Sequence, residues 1–318
     1  MTIALARPTR LDPRKFRDPL RTADGQRRAS VALRGIETLW FNTGTLCNLT
    51  CANCYIESSP RNDRLAYLGA AEVARFLDEL DAGWQAREIG FTGGEPFMNP
   101  ELIAMLEDAL RRGYAILVLS NAMRPMLKRK AELLALKERY GRRLTIRVSV
   151  DHYGEALHEA ERGRHSWRRM LEGLRWLGRE GFSLAVAGRT FGGESEASLR
   201  AGYARLFDEL GLALDADDPR DLVLFPEMDA GADVPEITEA CWGLLGVSPE
   251  AMMCAGSRMV VRRKGESVAK VVPCTLLPYD AQFEMGASLA EATGTVQLNH
   301  PHCAKFCVLG GASCSQRG

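Results

Sequence analysis

Ile36-Glu-Thr-Leu-Trp-Phe41, followed after a short loop by Cys47-Asn-Leu-Thr-Cys51-Ala-Asn-Cys54, is the stretch on which the reading of the fold turns. The first run is rich in β-branched and aromatic residues and reads as a strand. The second places three thiols at C-x3-C-x2-C spacing in the loop after it. With nine cysteines in 318 residues, such a triplet is expected by chance only about 0.01 times per chain. Three thiolates on one short loop suit soft iron in a cubane cluster and leave one iron without a protein ligand. A zinc site that borrows a fourth ligand from elsewhere is the rival reading.

Working outward, the alternation repeats. Ala70 to Leu80 has helical spacing (Val73, Phe76, Leu77, Leu80) and stops near Gly83. Arg87 to Thr92 is a second strand, and Pro100 to Arg112 a helix with Gly113 at its end. Tyr114 to Leu119 and Leu144 to Val150 are the third and fourth strands, followed by helices over Arg124–Tyr140 and Ser166–Arg179. Phe182 to Ala187 and Asp221 to Phe225 complete the set, with helices over Glu194–Leu210 and Pro235–Leu245. Six strands alternating with helices imply parallel pairing with right-handed crossovers. A doubly wound sheet and an open barrel both fit that alternation. Cys47 to Cys54, Thr92 to Glu95, Asn121, Ser149 and Asp151 all fall at or just past strand C-termini, the edge that carries chemistry in α/β barrels, and this favours the barrel. From about Pro249 the alternation gives way to a cysteine-rich tail, too small for a large core and a candidate for stapling by metal.

Composition bounds the remaining choices. The chain is 46% apolar and 26% charged, ordinary globular usage, and its 41 basic and 41 acidic residues give no global reason to expect a nucleic-acid partner. No run approaches the ~20 apolar residues of a membrane span. The cysteines crowd into Cys47 to Cys54 and Cys254 to Cys314, with Cys241 alone between them on a helix and read as core. Clustered thiols in a chain long enough to build a core point to metal binding in a reducing compartment, the cytoplasm by default. From Met1 to Arg34, nine Arg or Lys stand against three Asp with Pro8, Pro13 and Pro19 interleaved. This segment reads as a partly ordered surface extension, with a substrate or partner arm as the functional alternative.

The triplet and the strand ends together resemble the radical S-adenosylmethionine superfamily. Phe91-Thr-Gly-Gly-Glu-Pro96 is similar to its Gly-Gly-Glu motif, and Ser149-Val-Asp151 with His158-Glu-Ala-Glu-Arg162-Gly163 to its S-x-D and H-x-x-x-R-G stretch. The resemblance implies a partial (β/α)6 TIM-like barrel over 36–248 after a basic extension over 1–35. It implies a 4Fe–4S cluster on Cys47, Cys51 and Cys54, whose open iron chelates S-adenosylmethionine and whose electron cleaves the sulfonium to a 5′-deoxyadenosyl radical. Gly93 and Gly94 would let backbone carbonyls approach the cofactor's ammonium and Glu95 would add a negative field. Asn121 would meet the ribose, and Ser149 and Arg162 the carboxylate, for which a guanidinium fork is suited. Arg162 has a rival reading as a solvated loop arginine; Asp151 and His158 either shape the loop or face substrate. Asn53 departs from the family, which often has an aromatic before the third cysteine.

In the tail, Met259 to Val272 reads as a hairpin about a Lys264-Gly265-Glu266 turn, which brings Cys254 and Cys274 together. With Cys303, Cys307 and Cys314 this resembles the twitch module, a shortened SPASM extension, over 249–318. That implies an auxiliary 4Fe–4S cluster on Cys254, Cys274, Cys303 and Cys307, with Cys314 in reserve and a structural zinc site as the rival. The functional expectation is an oxidoreductase-type enzyme supplied by a low-potential electron donor such as flavodoxin or ferredoxin. Its substrate is a small molecule or, alternatively, a ribosomal peptide. The roughly 35 residues before the barrel tilt the expectation towards the small molecule. A non-catalytic iron–sulfur sensor or scaffold is the alternative of another class, and the cofactor-pocket motifs speak against it.

Overall fold

The computed structural model describes residues 10–190, 193–227 and 229–314. Ser30–Val31 forms β1 and Thr38–Asn42 forms β2, followed by α1 at Ala70–Gly83. Next come β3 (Glu88–Thr92), α2 (Leu102–Arg111) and β4 (Ala115–Ser120). The expected helix from Arg124 to Tyr140 is two, α3 at Arg124–Leu127 and α4 at Lys130–Tyr140, because Arg129 leaves helical geometry at φ −104° and ψ 19°. After β5 (Leu144–Ser149), the stretch read as a loop contains α5 (Glu155–Arg162), then α6 (Ser166–Arg179). β6 (Ser183–Thr190), α7 (Glu196–Leu210) and β7 (Leu222–Pro226) complete the repeats. The last expected helix is short: α8 runs only over Ala240–Leu245, since the residues before it are extended and bridge the N-terminal segment at Arg10–Ala232 and Arg28–Thr238.

The strands form one sheet in the order β7-β6-β5-β4-β3-β2, and it goes on past β2. The one-turn α9 (Met253–Gly256) leads into β8 (Ser257–Val261), which pairs parallel with β2, and β9 (Lys270–Val272) pairs antiparallel with β8. The hairpin is therefore present, with Met259 opposite Val272, but it extends the barrel's sheet rather than standing beside it. A sheet in sequential order with β7 and β9 at its edges is an open barrel, not a closed one.

Period-2 alternation divides the strand side chains between two cores. Leu39, Phe41, Ile116, Val118, Ile146, Val148 and Val260 pack with the helices. Trp40, Leu117, Met259 and Val261 point to the concave side, where the C-terminal cysteines and Phe306 join them. Gly90 is required there, because a Cβ would lie 2.3 Å from the Trp40 ring.

The N-terminal segment from Arg10 is docked, which corrects the reading of it as a partly ordered extension. β1 pairs with β10 (Val296–Gln297). The buried Arg28 guanidinium meets Glu236 at 2.5 Å, and Lys15 meets Asp233 at 2.8 Å. Residues 1–9 lie outside the described part. Among the described residues, no helix is long and apolar enough to cross a membrane.

Candidate active site

The C-terminal ends of β2 to β7 open into one cavity. Cys47, Cys51 and Cys54 line it, as do Gly93, Gly94, Asn121, Ser149, Asp151 and Arg162. Residues from four strand ends thus meet at one place, as parallel strands in register require. Glu95 is buried just behind the wall.

The cysteine loop is held by backbone contacts that need glycine. Gly93 has φ +146°, and its Cβ would meet the Gly44 carbonyl at 2.5 Å; one on Gly94 would meet the Leu46 carbonyl at 2.3 Å. Gly94 N–H donates to Gly44 O (2.8 Å) and Glu95 N–H to Leu46 O (3.1 Å). The absent side chains therefore make room for the loop that carries Cys47 as well as leaving backbone bare to the cavity.

Glu95 is committed to the protein. Its carboxylate accepts from Ser120 Oγ (2.9 Å), Asn121 N–H (2.8 Å) and Phe97 N–H (3.2 Å). Burial pushes its pKa to about 7 despite these bonds, so the expected negative field is a partial one near neutrality. Its clearest role is to fix the turn that carries Asn121, whose Nδ2 donates to Asn48 Oδ1 at 3.0 Å.

Arg162 ends α5 as a largely buried side chain, not a solvated loop residue. Its Nε donates to Asp151 Oδ2 (2.8 Å) and its Nη2 to Asp151 Oδ1 (3.1 Å). Burial alone would raise the Asp151 pKa, but the guanidinium holds it below the usual range. His158 does not line the cavity. It packs against Trp167 with ring centroids 5.3 Å apart, and burial lowers its pKa to about 4.

Three features were not legible beforehand. Asn53, the departure from the family pattern, is a fastener: its Nδ2 donates to both Glu161 oxygens (2.8 and 3.0 Å), and its carbonyl accepts from Arg189 Nη1 (3.0 Å). With Ala52 N–H donating to Glu161 O at 2.8 Å, the loop is tied to α5. Cys314 lines this same cavity, accepting from Thr275 Oγ1 at 3.1 Å, while Arg147 in the barrel interior donates to its carbonyl at 2.6 Å. Finally, Phe225, Pro226, Leu276 and Phe306 form an apolar part of the wall. Only the strand-end position of Phe225 and Pro226 could have signalled it.

The other four tail cysteines turn away to a separate, smaller hollow. Cys254, Cys274, Cys303 and Cys307 line it with Leu276, Leu277, Leu298 and His302. Burial raises the thiol of Cys254 to about 11 and pushes those of Cys274 and Cys303 well above the usual thiol range. In the first cavity burial lifts Cys47 to about 12. Buried thiols of this kind gain most from a soft metal, which displaces their protons. Among the described residues, no trio of His, Cys, Asp or Glu is drawn in to metal-holding separations, so both sets are lined walls rather than closed shells.

Comparison with known proteins agrees with this geometry. Over 147 residues the chain is 32% identical to the antilisterial bacteriocin subtilosin biosynthesis protein AlbA of Bacillus subtilis (strain 168), a match covering 46% of this chain and 31% of AlbA. Among solved structures, Streptococcus suis SuiB bound to S-adenosylmethionine superposes with TM-score 0.59 at 13% identity, covering 80% of this chain and 63% of SuiB. SuiB bound to the precursor peptide SuiA gives 0.60 at 11%, over 83% and 66%, and anSMEcpe with bound AdoMet gives 0.55 at 13%, over 80% and 79%. At these identities the structures speak for the fold alone, and the chain spans about a third of AlbA's length. Residues 41–200, half of the sequence, match the Radical SAM superfamily, and the chain therefore belongs to that superfamily of iron–sulfur enzymes.

Proposed function

We propose that this radical SAM enzyme modifies a peptide, with Cys47, Cys51 and Cys54 as ligands of the 4Fe–4S cluster. The observation that carries the peptide reading is the make-up of the cavity wall. Its thiol and Asp151/Arg162 side is polar, whereas the portion from β7 and the tail is Phe225, Pro226, Leu276 and Phe306, with Cys314 beside them. A sugar, cyclitol or free amino acid would find few hydrogen-bond partners there, while an apolar peptide side chain would bury well. The names of AlbA, a bacteriocin biosynthesis protein, and of SuiB, solved with a precursor peptide, lean the same way.

The residues fit the absent groups. Three thiols, one largely buried Asp–Arg pair and bare glycine backbone provide soft ligands, a carboxylate partner and acceptors for an ammonium. When bound, the cluster and S-adenosylmethionine together supply a carbon-centred radical that takes a hydrogen atom from substrate. Asp151 holds the Arg162 fork in place, Asn53 and Glu161 hold the cysteine loop, Asn121 would present a polar group to the ribose, and Ser149 would join Arg162 at the carboxylate. The second hollow would hold an auxiliary 4Fe–4S cluster on Cys254, Cys274, Cys303 and Cys307, which supplies an electron acceptor and makes the net reaction an oxidation.

Two measurements test this reading. Arg162→Lys keeps the charge but loses the fork, so S-adenosylmethionine should bind about tenfold or more weakly with iron content unchanged. Equal affinity would leave Arg162 as a partner of Asp151 only. For substrate class, the enzyme is incubated anaerobically with dithionite, S-adenosylmethionine and a set of synthetic peptides bearing apolar side chains. Formation of 5′-deoxyadenosine with a peptide two hydrogens lighter is expected. Stimulation by a polar small molecule and indifference to the peptides would overturn the peptide reading.

A further inference from the structure

The cysteine loop has an outer face distinct from the cavity. Cys47 lines the cavity, but the next residue, the exposed Asn48, lines an open groove with Phe97, Met123, Arg124, Lys128, Arg129 and Arg169. Consecutive residues of the cysteine loop thus face the cavity and the groove. Asn48 is fixed there, donating from Nδ2 to Met123 Sδ (3.8 Å) and accepting from Asn121. Arg169 and Glu172 are shared with an adjoining surface of His165, Arg168 and Arg175, which makes one basic band across α3 and α6. Glu172 is the one acidic residue among the described lining of either surface. Arg124, Lys128, Arg168, Arg169 and Arg175 are exposed and form no ion pair among the described residues; Arg129 pairs with Glu132 at 3.2 Å. In a chain of zero formal net charge this concentration is local.

We propose that this basic groove is the docking surface for an acidic one-electron carrier protein, with Arg124, Lys128 and Arg169 setting its affinity. The inference rests on the reading of Cys47, Cys51 and Cys54 as cluster ligands. A cluster there needs one electron per cleavage, and transfer weakens steeply with distance, so the donor must approach the loop. The cavity side is taken by cofactor and substrate, which leaves the Asn48 side. The reduced carrier loses one electron and the cluster gains it; no bond or proton moves. Complementary charge would steer an acidic partner to the groove and orient it. A substrate peptide is a poorer occupant, since its reacting part must reach the other side of the loop.

The test uses reconstituted holoenzyme, a purified flavodoxin as probe and dithionite as a small reductant. The triple variant Arg124→Glu/Lys128→Glu/Arg169→Glu should raise the Kd for flavodoxin at least about tenfold, and parent binding should weaken with added salt. Production of 5′-deoxyadenosine should fall about tenfold with reduced flavodoxin and stay within about twofold with dithionite. The single Lys128→Glu variant should shift the same quantities in the same direction by less. Unchanged Kd and flavodoxin-driven rate in the triple variant would overturn the docking surface, as would equal loss with both reductants. Weakened peptide binding with unchanged flavodoxin Kd would overturn it too and give the groove to substrate. Failure of the parent to cleave S-adenosylmethionine with dithionite would instead sink the underlying cluster assignment.

Discussion

Cys51→Ala is expected to reduce anaerobic 5′-deoxyadenosine formation to background. Cys51 lines the cavity with Cys47 and Cys54, and the other thiol of that wall, Cys314, is held in place by Thr275 Oγ1 at 3.1 Å and by Arg147 at its carbonyl. A cluster short of one thiolate is lost or altered in potential, and the cofactor's sulfonium then receives no electron. Folding should survive. The loop is fastened by Ala52 N–H to Glu161 O, by Asn53 to the Glu161 carboxylate and by Arg189 to Asn53 O, none of which uses the Cys51 sulfur. The paired measurement is thermal unfolding of the metal-free protein, expected to be nearly unchanged. Normal 5′-deoxyadenosine production by the variant would remove the triplet from the chemistry.

Metal content carries the second large effect. Reconstituted protein should bind about eight irons, and the Cys47/Cys51/Cys54 triple-alanine form about four, because the tail has its own four-thiol hollow. Pairing of β8 with β9 brings the segments that carry Cys254 and Cys274 side by side. The wide helical turn Cys303–Val308 then carries Cys303 and Cys307 to the same hollow. Arg258 holds this arrangement by donating to the Cys254 and Ala292 carbonyls at 2.7 Å each. If the triple variant instead holds about one zinc and no iron, the tail is a structural staple. Oxidation through that site would then be untenable, and a redox-neutral rearrangement would be the better reading. The measurement thus separates two reaction types as well as two metals.

How much was legible varies with the kind of determinant. The alternation of strands and helices was plain because each element is local and amphipathic, with Val73, Phe76, Leu77 and Leu80 at helical spacing and Ile116 and Val118 alternating with Leu117. α5 was missed because half of Glu155 to Arg162 is charged, and His158, its most fully buried residue, gives no apolar stripe. The N-terminal segment looked like a loose arm because its order comes from partners more than two hundred positions away, Asp233, Glu236 and Val296.

The sequence by itself determined the chemistry: thiols at C-x3-C-x2-C spacing, a Gly-Gly-Glu turn and polar residues at successive strand ends are local patterns, and local spacing fixes which atoms a loop can offer. It also favoured the open α/β barrel over a doubly wound sheet, since the polar residues fall at the C-terminal ends of successive strands. Tertiary structure alone decided how the thiols are shared out. Cys314 lies only seven positions beyond Cys307, yet it faces the first cavity beside Thr275, while the other four tail cysteines face the second hollow. Packing likewise set the partner of Arg162, the fastening of Asn53 and the basic groove behind Asn48. Each of these joins side chains from separate elements, which only the folded chain brings together.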